Sequence, residues 1–466
     1  MEMTNNDVKL KRQIGLFPAT NIVVANMVGA GIFTTSGLLM AGLNDPLLMM
    51  ALWVVGGIIA ICGALSYGEL GAAMPEAGGE YLFLSKLYHP LFGFLSGWVS
   101  FMVGFSAPIA ASALGFSAYF CRAVNIVPSW LDASGILSPL WTGKLLAIGI
   151  ILIFTFIHYR GIKYGAKIQN ILTVLKVALI LILIIAGFTS GKGDMGNFSK
   201  GGHIAAGFTG WKTIGLSLMW IMFAYSGWNA STYLGAEIKN PAKILPRSLL
   251  YGTGIVIFLY LGLNTLFIYG IDPEKMKGVL SVGGLAMGNL FGKSADILFS
   301  LLIAFALFSS LSAFIIIGPR VYYSMAKDGL FFRSAAKIHP KFNVPSNSIL
   351  LQCVIAVVLV LSGTFEQVLT YMGFALGIFP ILTVFSIIKL RRNNPHAIRM
   401  PGYPVTQFVY ILTGLLILGL AYADRPIESS VATLTVLAGI PAYYIFKKRN
   451  GSSLEKQDVP RNKTHS

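Results

Sequence analysis

The chain has 466 residues, 55% of them hydrophobic and only 11% charged. Soluble domains carry roughly 25% charged residues, so a water-soluble enzyme or binding module is excluded and a polytopic membrane protein is indicated. A formal charge of +17 in a soluble chain suggests nucleic acid; here the charges lie between apolar segments and report membrane orientation instead, with no nucleic-acid partner.

Met1 to Gln13 is polar, and the first apolar run is too long for the core of a cleavable signal. Apolar segments of about 20 residues, long enough to cross a bilayer, then follow one another. They lie near 16–41, 47–72, 92–121, 142–159, 168–189, 211–236, 249–270, 295–325, 346–363, 366–389, 405–422 and 428–446. The short gap Gly363 to Glu366 makes a tight hairpin of the ninth and tenth. The third and eighth exceed a straight span, which implies tilt or extension beyond the interface. Most of the 35 lysines and arginines gather on one side, among them Arg160, Lys163 and Lys167, Lys239, Lys243 and Arg247, and Arg320, Lys327 and Arg333. The positive-inside rule then places both termini in the cytoplasm. The expected organisation is an all-α integral membrane protein of twelve transmembrane helices. One transmembrane domain covers 16–446, between a cytoplasmic tail 1–15 and a polar tail 447–466 that touches anionic headgroups. Cys62, Cys121 and Cys353 lie within apolar runs as free thiols, with no metal spacing, and no cofactor is expected.

Two segments carry matching interruptions. The first contains Asn26-Met27-Val28-Gly29-Ala30-Gly31-Ile32-Phe33, and the sixth Ala224-Tyr225-Ser226-Gly227-Trp228-Asn229-Ala230-Ser231. Each Gly in a helix costs roughly 1 kcal/mol relative to Ala, and backbone freed at membrane depth must find a partner other than lipid. Taken alone, Gly29 and Gly31 also fit close helix packing. As a pair in corresponding places, the two interruptions point to a transporter binding site. Five segments separate their starts, and an odd number reverses topology. The halves are therefore read as a five-plus-five inverted repeat, about 16–189 and 211–389, followed by two extra helices at about 405–446.

Facing breaks suit a zwitterion. Amides of Gly29, Ala30 and Gly31 at a half-helix start attract a carboxylate. Carbonyls of Met27, Phe223, Ala224 and Ser226 attract an ammonium. Glu69, Glu76, Glu80, Glu237 and Asp328 are placed at inner ends of segments, and no carboxylate is placed at mid-membrane depth. A strongly cationic substrate favours buried carboxylates, so a neutral zwitterion is preferred over a polyamine or cationic amino acid. Lys176, in the fifth segment, stands as a lone cation. It either snorkels to the interface, occupies a cation position beside the first break, or gains and loses a proton during transport. Phe223 and Trp228 flank the second break as gates or as packing. Asn229 bonds substrate or satisfies freed backbone. Ser309, Ser310 and Ser312 form a second cation position or pack as small polar residues. His158 and His203 receive no role. No selectivity-filter repeat, His-Glu metal motif or Ser/His nucleophile pair appears at depth, which argues against a channel or an intramembrane enzyme.

The chain from about Gly15 to Tyr444 resembles the amino acid–polyamine–organocation superfamily, and within it the L-type amino acid transporters and their bacterial relatives. The likeness rests on Val28-Gly29-Ala30-Gly31-Ile32-Phe33, on Glu69-Leu70-Gly71 with Pro75-Glu76-Ala77-Gly78-Gly79-Glu80-Tyr81, and on Lys176. It continues through Phe223-Ala224-Tyr225-Ser226-Gly227-Trp228-Asn229, Glu237-Ile238-Lys239-Asn240-Pro241 with Leu245-Pro246, and Pro319-Arg320-Val321 through Asp328-Gly329. The resemblance implies a leucine-transporter-like inverted repeat and alternating access. The α-carboxylate then sits at the glycine-rich break, the amino group on carbonyls of Met27, Phe223, Ala224 and Ser226, and Phe223 serves as gate. Lys176 replaces a sodium ion, so transport is sodium-independent, by exchange or with a proton. Many relatives carry Ser where this chain has Ala30, which removes a hydroxyl from the carboxylate site. Animal relatives join a glycoprotein through a loop cysteine between segments three and four; the loop Val124 to Trp141 has none, so no disulfide-linked heavy chain is expected. The expected function is exchange or proton-coupled transport of neutral L-amino acids across the cytoplasmic membrane.

Overall fold

The computed structural model describes residues 12–124, 139–202, 207–279, 281–362, 365–395 and 398–454. The stretch 125–138, most of the predicted loop after the third segment, and the hairpin tip at 363–364 lie outside the described residues, as do His203 and both chain ends. The described chain is helical, with no β-strand beyond two isolated bridges, Ile14 to Ile238 and Ala77 to Leu234.

The first segment is two half-helices, α1 (Leu16–Met27) and α2 (Ala30–Leu43), separated by Val28 and Gly29. Then come α3 (Pro46–Ala73), α4 (Glu80–Leu87), α5 (Pro90–Val99), α6 (Ser106–Val124), α7 (Pro139–Tyr159) and α8 (Ile162–Thr189). The second half holds α9 (Phe208–Ala224), α10 (Pro241–Gly270), α11 (Val282–Phe291), α12 (Lys293–Lys327), α13 (Ser346–Ser362) and α14 (Phe365–Asn393). Last are α15 (Val405–Asp424) and α16 (Pro426–Leu454). Local chemistry starts several of these helices. The Asp45 side chain accepts from the Leu48 amide at 3.0 Å with Pro46 in the first turn. His89 Nδ1 accepts from the Leu91 amide ahead of Pro90. Such caps satisfy amides that a helix start leaves without partners.

Ten helices among the described residues are long and apolar enough to cross a membrane. The chain is a multi-pass membrane protein. Of the twelve expected spans, the sixth and ninth fall short: α9 stops after 17 residues at Ala224, where the break begins, and α13 also has 17 residues. The long third segment is α5 and α6 joined through a π-helical turn, Ser100–Gly104, which periodicity did not signal. The polar stretch from Lys447, read as a tail, continues α16 as helix to Leu454.

Helix α12 runs along α6, α10 along α3, and α1 lies against both α10 and α8. Close approach needs small residues: a Cβ on Gly63 in α3 would lie 2.7 Å from the Trp228 ring. Two ion pairs, one buried and one partly buried, tie distant elements. Arg320 Nε on α12 is 3.0 Å from Glu237, beyond the second break, and Arg391 on α14 bonds both oxygens of Glu69 at 2.7 and 2.8 Å. Carbonyl and amide groups flanking Glu237 are also used: Gln13 and Ile14 donate to its carbonyl, and Lys239 donates back to Ile14.

Candidate binding site at the paired breaks

Val28 leaves the helix with ψ 85°, and Gly29 is extended, so α1 ends and α2 begins across two residues. No side chain caps the start of α2, leaving its first amides to a ligand or water. The second break starts at Tyr225 and passes through Gly227 at φ +97°, a left-handed conformation that suits glycine, before a short turn of 3-10 helix at Ala230–Tyr233. The breaks touch. A Cβ on Gly31 would lie 2.9 Å from Ala224, and one on Gly227 would lie 2.8 Å from the Asn26 backbone.

Two cavities meet here. A small one is bordered by Met27, Gly29, Ala30, Gly31, Ala224 and Ser226. A larger one, about 120 Å³, extends from Ser226 past Met222, Trp228 and Leu376 to Glu80 and Tyr410. Asn26, Phe223, Ser226 and Phe314 border both. Phe223 is half-buried at the junction of the two spaces. Trp228 is buried, packed edge-on against Tyr67 with ring centroids 4.7 Å apart and against Tyr410 at 5.8 Å.

Lys176 is 1% exposed, so it does not snorkel. Its ammonium donates to the carbonyl of Ala25 at 3.3 Å, to the Ser310 hydroxyl at 2.8 Å, and to the Val28 carbonyl. Ser310 also donates to Val28. The ammonium thus joins the end of α1 to α12 through three oxygens, matching its three N–H donors. The neighbouring serines serve other pairs: Ser309 accepts at its carbonyl from Gln169 at 3.0 Å, and Ser312 meets His158 Nε2 at 2.8 Å.

The structure brings together Met27, Gly29, Ala30, Gly31, Phe223, Ala224 and Ser226, with Lys176 behind the first break. It also shows what the sequence hid. The Tyr260 hydroxyl, on α10, lies 2.6 Å from the Met27 carbonyl and 2.8 Å from that of Ala224, two of the carbonyls assigned to an ammonium. A tyrosine in an apolar run gives no signal of such a contact. Asn229 donates to Glu80 Oε1 at 2.8 Å and to the Tyr233 hydroxyl at 3.3 Å. Glu80, assigned to an inner segment end, has its side chain on the wall of the larger cavity. The stretch Pro75 to Gly79, with Gly78 and Gly79 at positive φ, turns the chain into α4, which packs against α5 and α14.

The amino acid permease family model matches residues 14–441. Similar proteins include the serine/threonine exchanger SteT of Bacillus subtilis, 29% identical over 97% of this chain and 100% of that protein. The human large neutral amino acids transporter small subunit 2 is 26% identical over 94% of this chain and 81% of its own length. The mouse Asc-type amino acid transporter 1 is 26% identical over 94% and 82%. With nearly its whole length matched by one family model, and with two interrupted helices meeting at its centre, the chain belongs to the amino acid permease family of the amino acid–polyamine–organocation superfamily.

Proposed function

We propose that this protein carries neutral L-amino acids across the cytoplasmic membrane by alternating access, without sodium, driven by exchange or by protons. The observation that carries the reading is Lys176. Its ammonium occupies the place between the first break and α12 where a bound cation would tie them, held by Ala25, Val28 and Ser310. A covalently fixed cation removes the need for a sodium ion to neutralise those oxygens. The substrate carboxylate rests on the amides of Gly29, Ala30 and Gly31, its ammonium on carbonyls at the Phe223 and Ser226 side, and its side chain points past Phe223 into the larger cavity. Phe223 gates that passage while Trp228 backs it. In this reading the breaks belong to a five-plus-five inverted repeat with twelve spans and cytoplasmic termini, and the protein works without a disulfide-linked heavy chain. The names of its relatives, a serine/threonine exchanger and transporters of neutral amino acids, support a neutral substrate.

The test is counterflow of labelled L-alanine in proteoliposomes lacking sodium, with a competition panel of neutral amino acids, cationic amino acids and polyamines. Sodium-independent uptake against unlabelled internal alanine, inhibited by neutral amino acids, is expected. Uptake of polyamines alone would sink the neutral reading.

A further inference from the structure

Among the described residues three carboxylates are buried: Glu69, Glu80 and Glu237. Glu69 is matched by Arg391 and Glu237 by Arg320. Glu80 has no such partner, although it is only 6% exposed. Its Oε1 accepts from the Tyr67 hydroxyl and the Asn229 amide, each at 2.8 Å, and its Oε2 from the Ser96 hydroxyl at 3.3 Å. The phenols of Tyr233 and Tyr410 complete its titratable surroundings. The charges on elements packed against α4 are engaged elsewhere. Lys389 of α14 lies over the Tyr88 ring, Arg391 is held by Glu69, and Asp328 at the end of α12 accepts from Tyr81. On α4 itself Lys86 pairs with Glu76. Only neutral dipoles therefore meet the Glu80 charge.

The position of this carboxylate gives it a use. It borders the cavity that joins the substrate site at Phe223, and through Asn229 it holds the backbone immediately after the second break. Water in the open cavity would reach the wall that Glu80 forms. Alternating access closes the cavity and expels that water. A buried carboxylate without a cation then carries a large desolvation cost, and neutralisation is the least costly remedy. Lys176 lines neither cavity, its three donors each holding an oxygen behind the first break.

We propose that Glu80 is the proton-binding site of the transport cycle. It takes a proton from water on the side to which the cavity is open as the site occludes, and returns it to water on the other side. Protonation withdraws the charge that holds the Asn229 amide, so proton binding loosens the segment beyond Phe223 in the step that must move it. The inference rests on the amino acid transport reading above and names the group that couples it to protons.

The experiment uses the full chain in proteoliposomes containing a pH-sensitive dye, comparing wild type with Glu80→Gln. The amide keeps the acceptor at Oε1 and the size of the side chain but does not titrate. An inside-alkaline gradient of one pH unit drives about tenfold accumulation of L-alanine for one coupled proton. Wild type is expected to accumulate alanine and acidify the lumen. Glu80→Gln is expected to retain alanine counterflow, lose accumulation and lose the pH dependence of uptake. Glu80→Asp, which keeps a carboxyl, is expected to retain accumulation and serves if the Gln variant does not fold. Equal accumulation by wild type and Glu80→Gln, or a non-accumulating Glu80→Asp that still exchanges alanine, overturns the assignment. So does wild-type counterflow accompanied by neither accumulation nor lumen acidification under the gradient, which leaves the transport function standing. Loss of competition by cationic amino acids alone, with proton movement unchanged, overturns it in favour of a side-chain subsite. Absence of amino acid counterflow in wild type sinks both readings.

Discussion

The Tyr260 hydroxyl meets the Met27 carbonyl at 2.6 Å and, from the same oxygen, stands 2.8 Å from the Ala224 carbonyl. One side chain on α10 thus pins the last turn of α1 to the last turn of α9. Tyr260→Phe removes the hydroxyl without changing the packing of the ring. Leaving a buried acceptor without its donor costs about 1–3 kcal/mol. The variant is expected to melt at lower temperature in detergent and to exchange alanine about tenfold more slowly, since 1.4 kcal/mol corresponds to about one decade. An unchanged exchange rate would assign Tyr260 to packing alone.

Lys176→Met keeps the stem and removes the ammonium. The Ala25 carbonyl loses its Lys176 donor, while Val28 retains Ser310. The end of α1 is then no longer tied to α12 by a charge, and transport is expected to fall by about tenfold or more. Counterflow on protein matched for monodispersity is the measurement. Wild-type transport by Lys176→Met would refute the fixed-cation role.

The two glycines of the first break should respond differently. A Cβ at Gly31 would stand 2.9 Å from both Cα and Cβ of Ala224, so Gly31→Ala must push α2 from α9. Overpacking of this kind costs about 1–3 kcal/mol. At Gly29 the nearest atom would be Ser310 Oγ at 3.7 Å, an ordinary contact. Thermal unfolding is expected to show a clear loss for Gly31→Ala and little change for Gly29→Ala. Equal melting temperatures would show that the breaks tolerate separation.

Arg320 and Glu237 are both buried, and removing one leaves the other charge without its counter-ion. Arg320→Met is expected to destabilise by about 3–5 kcal/mol, whereas Arg320→Met combined with Glu237→Gln costs much less. A double-mutant cycle of unfolding in detergent measures the difference. Additive losses would argue that the pair does not act as a unit.

The breaks were legible because glycine is a poor helix former and two such sites recur in corresponding segments. Lys176 was legible because a cation in an apolar run has few tolerable positions. The family motifs drew attention to Met27 and Phe223, which both border the small cavity. Tyr260 was not legible: its hydroxyl acts across helices far apart in sequence, and its ring is ordinary in an apolar segment. The part Glu80 plays on the cavity wall was not legible, because its contacts with Tyr67, Ser96 and Asn229 join elements that the sequence pattern does not bring together. The sixth segment, Trp211 to Ala236, ends its helix at Ala224, where its sequence interruption begins, and gives way to turns rather than to a second half-helix. Hydropathy reports which residues avoid water; it does not report where hydrogen bonds stop repeating.

Pairing of Gln13 and Ile14 with Glu237 and Lys239 has a mechanical consequence. The two residues ahead of α1 are zipped to the stretch past the second break, and Arg320 of α12 holds that same stretch through Glu237. A deletion reaching Gln13 removes one strand of that zipper and so frees the far side of the second break from the near side of the first, with every residue of the cavity wall left untouched.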